Sequence, residues 1–212
     1  MRATQAATGD HPRGEARKTQ ILDAAADCFR DHGFHGASIA QISRSAGMSA
    51  GHIYHYFENK EAIIAAIVAR DLERILSMSA ELRSAGNVLQ AMLDCTKEGV
   101  RENLDPKAAG LQLEIIAEAA RNPRIAEVVR AADRQIRESL AETFRTARKT
   151  MGHKEDEQVI SALTELLAAM FEGLAIRSIR NPDIDTVMLT GMFQRVITAV
   201  VAGAPTEELQ NN

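Results

Sequence analysis

A chain of 212 residues, 45% hydrophobic and 25% charged, is long enough to bury a core and is ordinary in composition for a globular protein. No apolar run approaches the ~18–20 residues of a membrane span, and the first residues lack the hydrophobic segment of a signal peptide, so the chain reads as cytoplasmic with no membrane partner. Net charge is −4, but residues 1–60 hold seven Lys/Arg against six Asp/Glu and five of the six His; a local basic face is enough to bind phosphate, so the overall sign does not exclude nucleic acid.

Residues 1–12 are polar and read as a flexible arm. From about Glu15, the apolar residues Ile21, Leu22, Ala25, Cys28 and Phe29 recur with helical spacing, and Gly33 is placed to end that helix. Ser38 is a good cap for a short helix, IAQISRSAG. Gly47 makes a turn, and Ser49 caps a second short helix, AGHIYHYF. Asn59 caps a long helix that begins at Lys60 and Glu61. Two short helices joined by a turn at Gly47 form a helix-turn-helix unit.

Everything after it reads as helix. Residues 87–101 carry Val88, Leu89, Met92 and Cys95 on one face. Asp105-Pro106 opens a helix through Ala120, and Asn122-Pro123 opens another that runs to Gly152, because proline suits the first helical turn. The last two helices span about Glu155–Arg180 and Pro182–Ala202. In the second of these, apolar residues occupy the whole circumference, which requires burial on every side. A homodimer built on these two helices satisfies that requirement; the alternative is a central helix within a monomer. The tail 205–212 reads as flexible.

The segment HIYHYF places two His, two Tyr and a Phe within six positions of a chain that has six His, two Tyr and six Phe. His52 and His55 stand three apart and have the spacing of metal ligands on a helix. A stable site needs about four ligands, however, and only Cys28 and His32 are further candidates nearby, so no metal is assigned. Cys28 and Cys95 show no C-x-x-C spacing and read as reduced thiols. No G-x-S-x-G, P-loop, H-E-x-x-H or dinucleotide fingerprint occurs, so no catalytic residue is assigned and no cofactor is expected. Glu114 and Glu118, one helical turn apart, read as an exposed face continuing to Arg121 or as an acidic element of a ligand site.

Residues 17–63 resemble the TetR family of bacterial transcriptional regulators. The resemblance rests on Phe29, Gly33, Phe34, Ser38, Ile39, Ile42, Ala46, Gly47, Ser49, Gly51, Ile53, Tyr54, Tyr56, Phe57, Lys60 and Glu61 at the family's spacing. Ala50 stands where many members have Lys, Ser43-Arg44-Ser45 replaces a more usual Ala-x-x-Ala, and His52 occupies a position often held by Thr or Ala. The resemblance implies an all-α protein of about nine helices: a three-helix DNA-binding domain over 13–60 and a larger effector-binding and dimerisation domain over 61–204. It also implies a repressor that binds a palindromic, double-stranded operator as a homodimer and is released by a small-molecule effector.

On that reading the second short helix is the recognition helix, which reaches base edges with its N-terminal residues. Ser49, Ala50, Gly51, His52, Tyr54 and His55 then face DNA, whereas Ile53, Tyr56 and Phe57 point inward. Arg17, Lys18, Ser38 and Arg44 are candidate phosphate contacts, and the resemblance implies the same for Lys60. By family layout the effector would lie among Met92, Cys95, Leu113, Ile116, Phe144, Met170 and Phe171. The dimer interface would use Leu163, Leu167, Leu174, Val187, Gly191, Gln194 and Thr198. The alternatives are a helical-bundle enzyme with a carboxylate or metal site and a DNA-binding protein without effector control.

Overall fold

The computed structural model describes residues 10–154 and 156–203, with side chains from Arg13 onward. Among these residues the chain forms only helices: α1 Asp10–Gly36, α2 Ile39–Ser45, α3 Ala50–Tyr56, α4 Lys60–Ser84, α5 Val88–Asn103, α6 Pro106–Ala119, α7 Pro123–Thr150, α8 Glu157–Arg180 and α9 Thr186–Val201. Residues 1–9 of the expected arm and the whole expected tail, 205–212, lie outside the described residues. Residues 10–12 already belong to α1, ahead of the start read from periodicity.

The helix ends follow local chemistry. Ser38 caps α2 in a reciprocal box with Gln41, and Ser49, Asn87, Asp156 and Asp185 cap α3, α5, α8 and α9. Each accepts backbone N–H groups that have no partner inside the helix. α9 therefore starts at the Asp185 cap and not at Pro182. The turn after α2 closes when Met48 N–H donates to Ser43 O at 2.9 Å and Gly47 N–H to Arg44 O at 3.2 Å. That pairing needs a left-handed residue at Gly47, whose φ is 62°.

Two compact units emerge. The first holds the residues up to Ala69 together with Glu114–Val129. Besides the expected stretch 13–60 it takes in the end of α6 and the start of α7, where Ile115, Glu118, Ile125 and Ala126 are buried. Within it α1 packs on α2 and α2 on α3, and Gln20 Nε2 donates to Ala46 O at 2.8 Å. Ile21, Ala25, Phe29, Phe34, Ile42, Ile53, Phe57, Ile63, Ile64 and Ile67 are buried.

The second unit holds Arg70–Leu113 and the residues from Arg130 onward. α5 packs on α8 and α9, and these two pack on each other. One apolar cluster joins Val88, Met92, Ala141, Phe144, Ala147, Ile160, Leu163, Leu167, Ile197 and Val201. A smaller one joins Val100, Leu174 and Phe193. Polar groups inside this unit are satisfied locally: Thr96 and Thr164 hydroxyls donate to carbonyls one turn back, and buried Arg148 donates to Val201 O at the end of α9. α8 is long and apolar enough to cross a membrane by length and composition, contrary to the reading that no run approaches that length. Its Ile160, Leu163 and Leu167 side instead packs into the larger cluster.

Candidate nucleic-acid interface

α3 divides its side chains sharply. Ile53 and Phe57 are buried, whereas Gly51, His52, Tyr54 and His55 are exposed, Tyr54 by 55%. Ala50 is half-buried beside the Ser49 cap, whose hydroxyl accepts His52 N–H at 3.2 Å. A seven-residue helix is too short to persist alone, so the two buried residues and the cap hold the exposed row in place.

Tyr56 departs from the inward reading. It is only half-buried, and its ring meets His52 and His55 edge-on, with centroids 5.3 and 5.1 Å away. The two imidazoles lie 6.4 Å apart, nearly parallel. The three rings form one exposed polar-aromatic surface able to donate to, and accept from, groups on a nucleic acid. Among the described residues no group of three His, Cys, Asp or Glu is placed to hold a metal ion. Cys28 is buried, and burial is the first cause pushing its thiol above the ordinary cysteine range, so it is not a ready thiolate ligand.

The basic candidates are arranged less uniformly. Arg17 is exposed and donates to Gln20 Oε1. Lys18 is paired with Glu15 at 2.8 Å, and the hydrogen bond to that carboxylate holds the ammonium above its usual range. Arg44 lines a groove between α1 and α2 with Asp27, Asp31 and His32. Ser38 is exposed but engaged with Gln41.

Lys60 adds most to the sequence reading. Its ammonium donates to Phe34 O at 2.6 Å and Ala37 O at 2.8 Å, and stands 4.5 Å above the Phe34 ring centroid. Two of its three N–H donors are thus used inside the protein, closing the corner between α1 and α2, a role beside the phosphate contact that the resemblance implies. From the other side, Glu114 Oε1 accepts Phe34 N–H at 2.7 Å. Glu118, 2% exposed, has His35 Nε2 3.1 Å and Arg121 3.7 Å from its Oε2, while Asn122 donates to its Oε1. The two carboxylates therefore do not form an exposed face: both turn toward the end of α1. Their spacing from the corner, 80 residues for Glu114 and Phe34, gave no local signal.

The expected effector residues separate. Met92 and Phe144 are core members, fully packed in the larger cluster. Met170 and Phe171 pack against the smaller one, where Phe171 meets Phe193 edge-on at 5.3 Å. Cys95 is half-buried with its thiol against Met92 O. Leu113 is half-buried, and Ile116 is 49% exposed, which does not suit the wall of an enclosed cavity.

The interface candidates divide in the same way. Leu163, Leu167 and Leu174 are buried in their own unit's clusters and cannot face another subunit. Gln194 is half-buried, donating to Leu93 O. Gly191 is half-buried, while Val187, 81% exposed, and Thr198 do face out. The side that remains open carries Leu166, Ile176 and Ile179 on α8 and Met188 and Met192 on α9. On a helix that is apolar all round, periodicity alone cannot tell the inner side from the outer.

Residues 21–67 match the family model described as "Bacterial regulatory proteins, tetR family", and residues 88–202 match "BetI-type transcriptional repressor, C-terminal". The chain is 34% identical over 142 residues to the HTH-type transcriptional regulator UidR of Escherichia coli K12, covering 66% of this chain and 71% of that one. It is 33% identical over 134 residues to the regulator BetI of Cronobacter sakazakii, covering 61% and 66%. Salmonella enterica GusR superposes with a TM-score of 0.73 at 30% identity, over 88% of this chain and 96% of that one. Bacillus subtilis FadR, solved in complex with stearoyl-CoA, superposes with a TM-score of 0.71 at 19% identity, over 88% and 99%, a likeness of fold alone. With both stretches matched in sequence order by family models, the chain belongs to the TetR family of bacterial transcriptional regulators.

Proposed function

We propose that the protein is a cytoplasmic repressor that works without catalysing a reaction. It binds a palindromic operator as a homodimer and leaves it when a small molecule occupies the second unit. The observation that carries the reading is the exposed row His52, Tyr54 and His55 on a helix anchored by Ile53 and Phe57. Placed in a major groove, the imidazoles and the phenol offer hydrogen bonds to base edges and phosphates, and Gly51 allows close backbone approach. Arg17 and Lys18, on α1, supply phosphate contacts that carry no sequence information of their own.

Dimerisation is supported by the open apolar residues of α8 and α9. Val187, Met188, Met192, Ile176 and Ile179 form the kind of exposed surface that marks an association site on a soluble protein. Two reading heads related by a two-fold axis match half-sites about one helical turn, ~34–36 Å, apart. An effector acts only through its differential affinity for the DNA-competent and incompetent forms. Within the second unit, half-buried Cys95, Leu113, Met170 and Phe171 are the expected candidates still accessible to one.

A gel shift with duplexes selected by the protein from random sequence tests the reading. Tyr54→Ala weakens binding by about tenfold or more, the loss of a bidentate-scale contact, while melting temperature is unchanged. Equal affinity of the variant and the wild type refutes it. Sedimentation of Met188→Asp tests the dimer, with a shift from dimer to monomer expected at micromolar concentration.

A further inference from the structure

The α1–α2 corner is built around one residue whose backbone is held at both ends by distant side chains. Gly33, at φ 71° and ψ 163°, breaks α1, so the next amide no longer follows the helical ladder. Phe34 N–H donates to Glu114 Oε1 at 2.7 Å, and Phe34 O accepts from Lys60 Nζ at 2.6 Å. The Phe34 ring is buried and meets Phe29 and His35 with centroids 5.5 and 5.3 Å away. Gly33 leaves the carboxylate room to approach, since a Cβ there would stand 3.3 Å from Glu114 Oε1. An amide buried beside an acidic oxygen from α6 and a carbonyl beside a cation from α4 form a charge-assisted clamp.

We infer that Glu114, on α6 and far outside the helix-turn-helix motif, is a positioning residue for operator reading. The inference rests on the DNA-reading function proposed above. Four residues after Phe34, Ser38 starts α2, and α2 packs on α3. The direction in which the chain leaves the corner therefore sets where the His52, Tyr54 and His55 row points. Without the Glu114 oxygen the Phe34 amide is buried with no acceptor, and the corner relaxes toward an arrangement in which that amide finds water or a helical carbonyl. Phosphate contacts tolerate such a shift better than base-edge hydrogen bonds, which require defined distances and angles. Loss of Glu114 thus reduces selectivity more than general DNA affinity.

The test uses a duplex selected by the wild-type protein from random sequence, and a scrambled duplex of the same composition. Fluorescence anisotropy gives the ratio of the two affinities for wild type, Glu114→Ala and Glu114→Gln, and amide hydrogen exchange is followed at Phe34. For Glu114→Ala the ratio falls about tenfold, the scale of one lost readout contact, and the Phe34 amide exchanges faster. Glu114→Gln, which keeps a side-chain oxygen at the same reach, stays within about threefold of wild type because that oxygen still accepts the bond. Should Glu114→Ala fail to fold, Glu114→Asp, one methylene short of the amide, takes its place with the same expectation. The inference is overturned by a folded Ala or Asp variant with an unchanged ratio, by unchanged Phe34 exchange, or by a Gln variant as impaired as Ala. A wild type that selects no sequence defeats the DNA reading itself and this role with it. That result is distinct from the case in which the wild type selects a sequence and the Glu114 variant reads it equally well.

Discussion

In the unit that carries α1 to α3, the bends between helices are fixed by side chains reaching backbone groups: Lys60 to Phe34 and Ala37, Glu114 to Phe34, Gln20 to Ala46. In the unit that carries α5, α8 and α9, the helices are long and are joined along their flanks by apolar clusters. The reason lies in helix length. α2 and α3 have seven residues each, too few to define an axis through packing alone, so their directions depend on what holds their ends. α7 and α8, at 28 and 24 residues, are long enough to share one apolar cluster along their length, through Ala141, Phe144 and Ala147 on the first and Ile160, Leu163 and Leu167 on the second. A reading head needs defined directions, and a unit proposed to dimerise and to hold an effector needs a bulk core with a face left open.

Mutations should separate the two designs, and the largest effect is expected in the apolar unit. Phe144→Ala, at a side chain 1% exposed, removes about 3–5 kcal/mol of unfolding free energy by leaving a cavity. Urea denaturation measures it, and a cost below about 1 kcal/mol would mean that packing does not dominate there. Next comes Lys60→Met, which strands two carbonyls at the corner and costs about 1.5–3 kcal/mol. If Lys60 served only as a phosphate anchor, the same variant would stay within about 0.5 kcal/mol of wild type, as surface changes do.

Gly99→Ala sharpens the comparison from the other side. Its new Cβ would stand 2.9 Å from Phe171 Cε1, an overpacking cost of about 1–3 kcal/mol. That cost is offset by about 1 kcal/mol of helix propensity. A net loss near 1 kcal/mol is expected, and net stabilisation would show that the Phe171 ring yields freely. The smallest change is Ser38→Ala, which removes one half of the α2 capping box and costs about 1 kcal/mol. Because α2 is short, that variant should also speed amide exchange through its first turn.

Most helices were legible because the signals are local. Ser38, Ser49, Gly47, Asp105-Pro106 and Asn122-Pro123 each act within a few residues, whereas Asn181-Pro182 marks a break but not the start of α9, which the Asp185 cap sets. The exposed row on α3 was legible for the same reason: once Ser49 fixes the start, Ile53 and Phe57 must turn inward. The internal partners of Lys60 and Glu114 were not legible because they lie 23 to 80 residues away, where neither spacing nor composition carries information. Tyr56 was misread because an aromatic residue in a short helix is suited equally to the core and to a neighbour's ring edge. Leu163, Leu167 and Leu174 were assigned to the outside of a helix that is apolar on both sides, and only packing decides which side is covered. Glu118 shows the same limit, a buried carboxylate whose contact with His35 no periodicity announces.

The central claim, that the outer row of α3 reads DNA, is tested most directly by selecting duplexes from random sequence with wild type and with Tyr54→Ala. The wild type is expected to enrich a palindrome whose half-sites are centred about one helical turn apart. The variant is expected to enrich it at least about tenfold more weakly, at unchanged melting temperature. Enrichment of the same palindrome to the same degree by both proteins, or of none by the wild type, would contradict it.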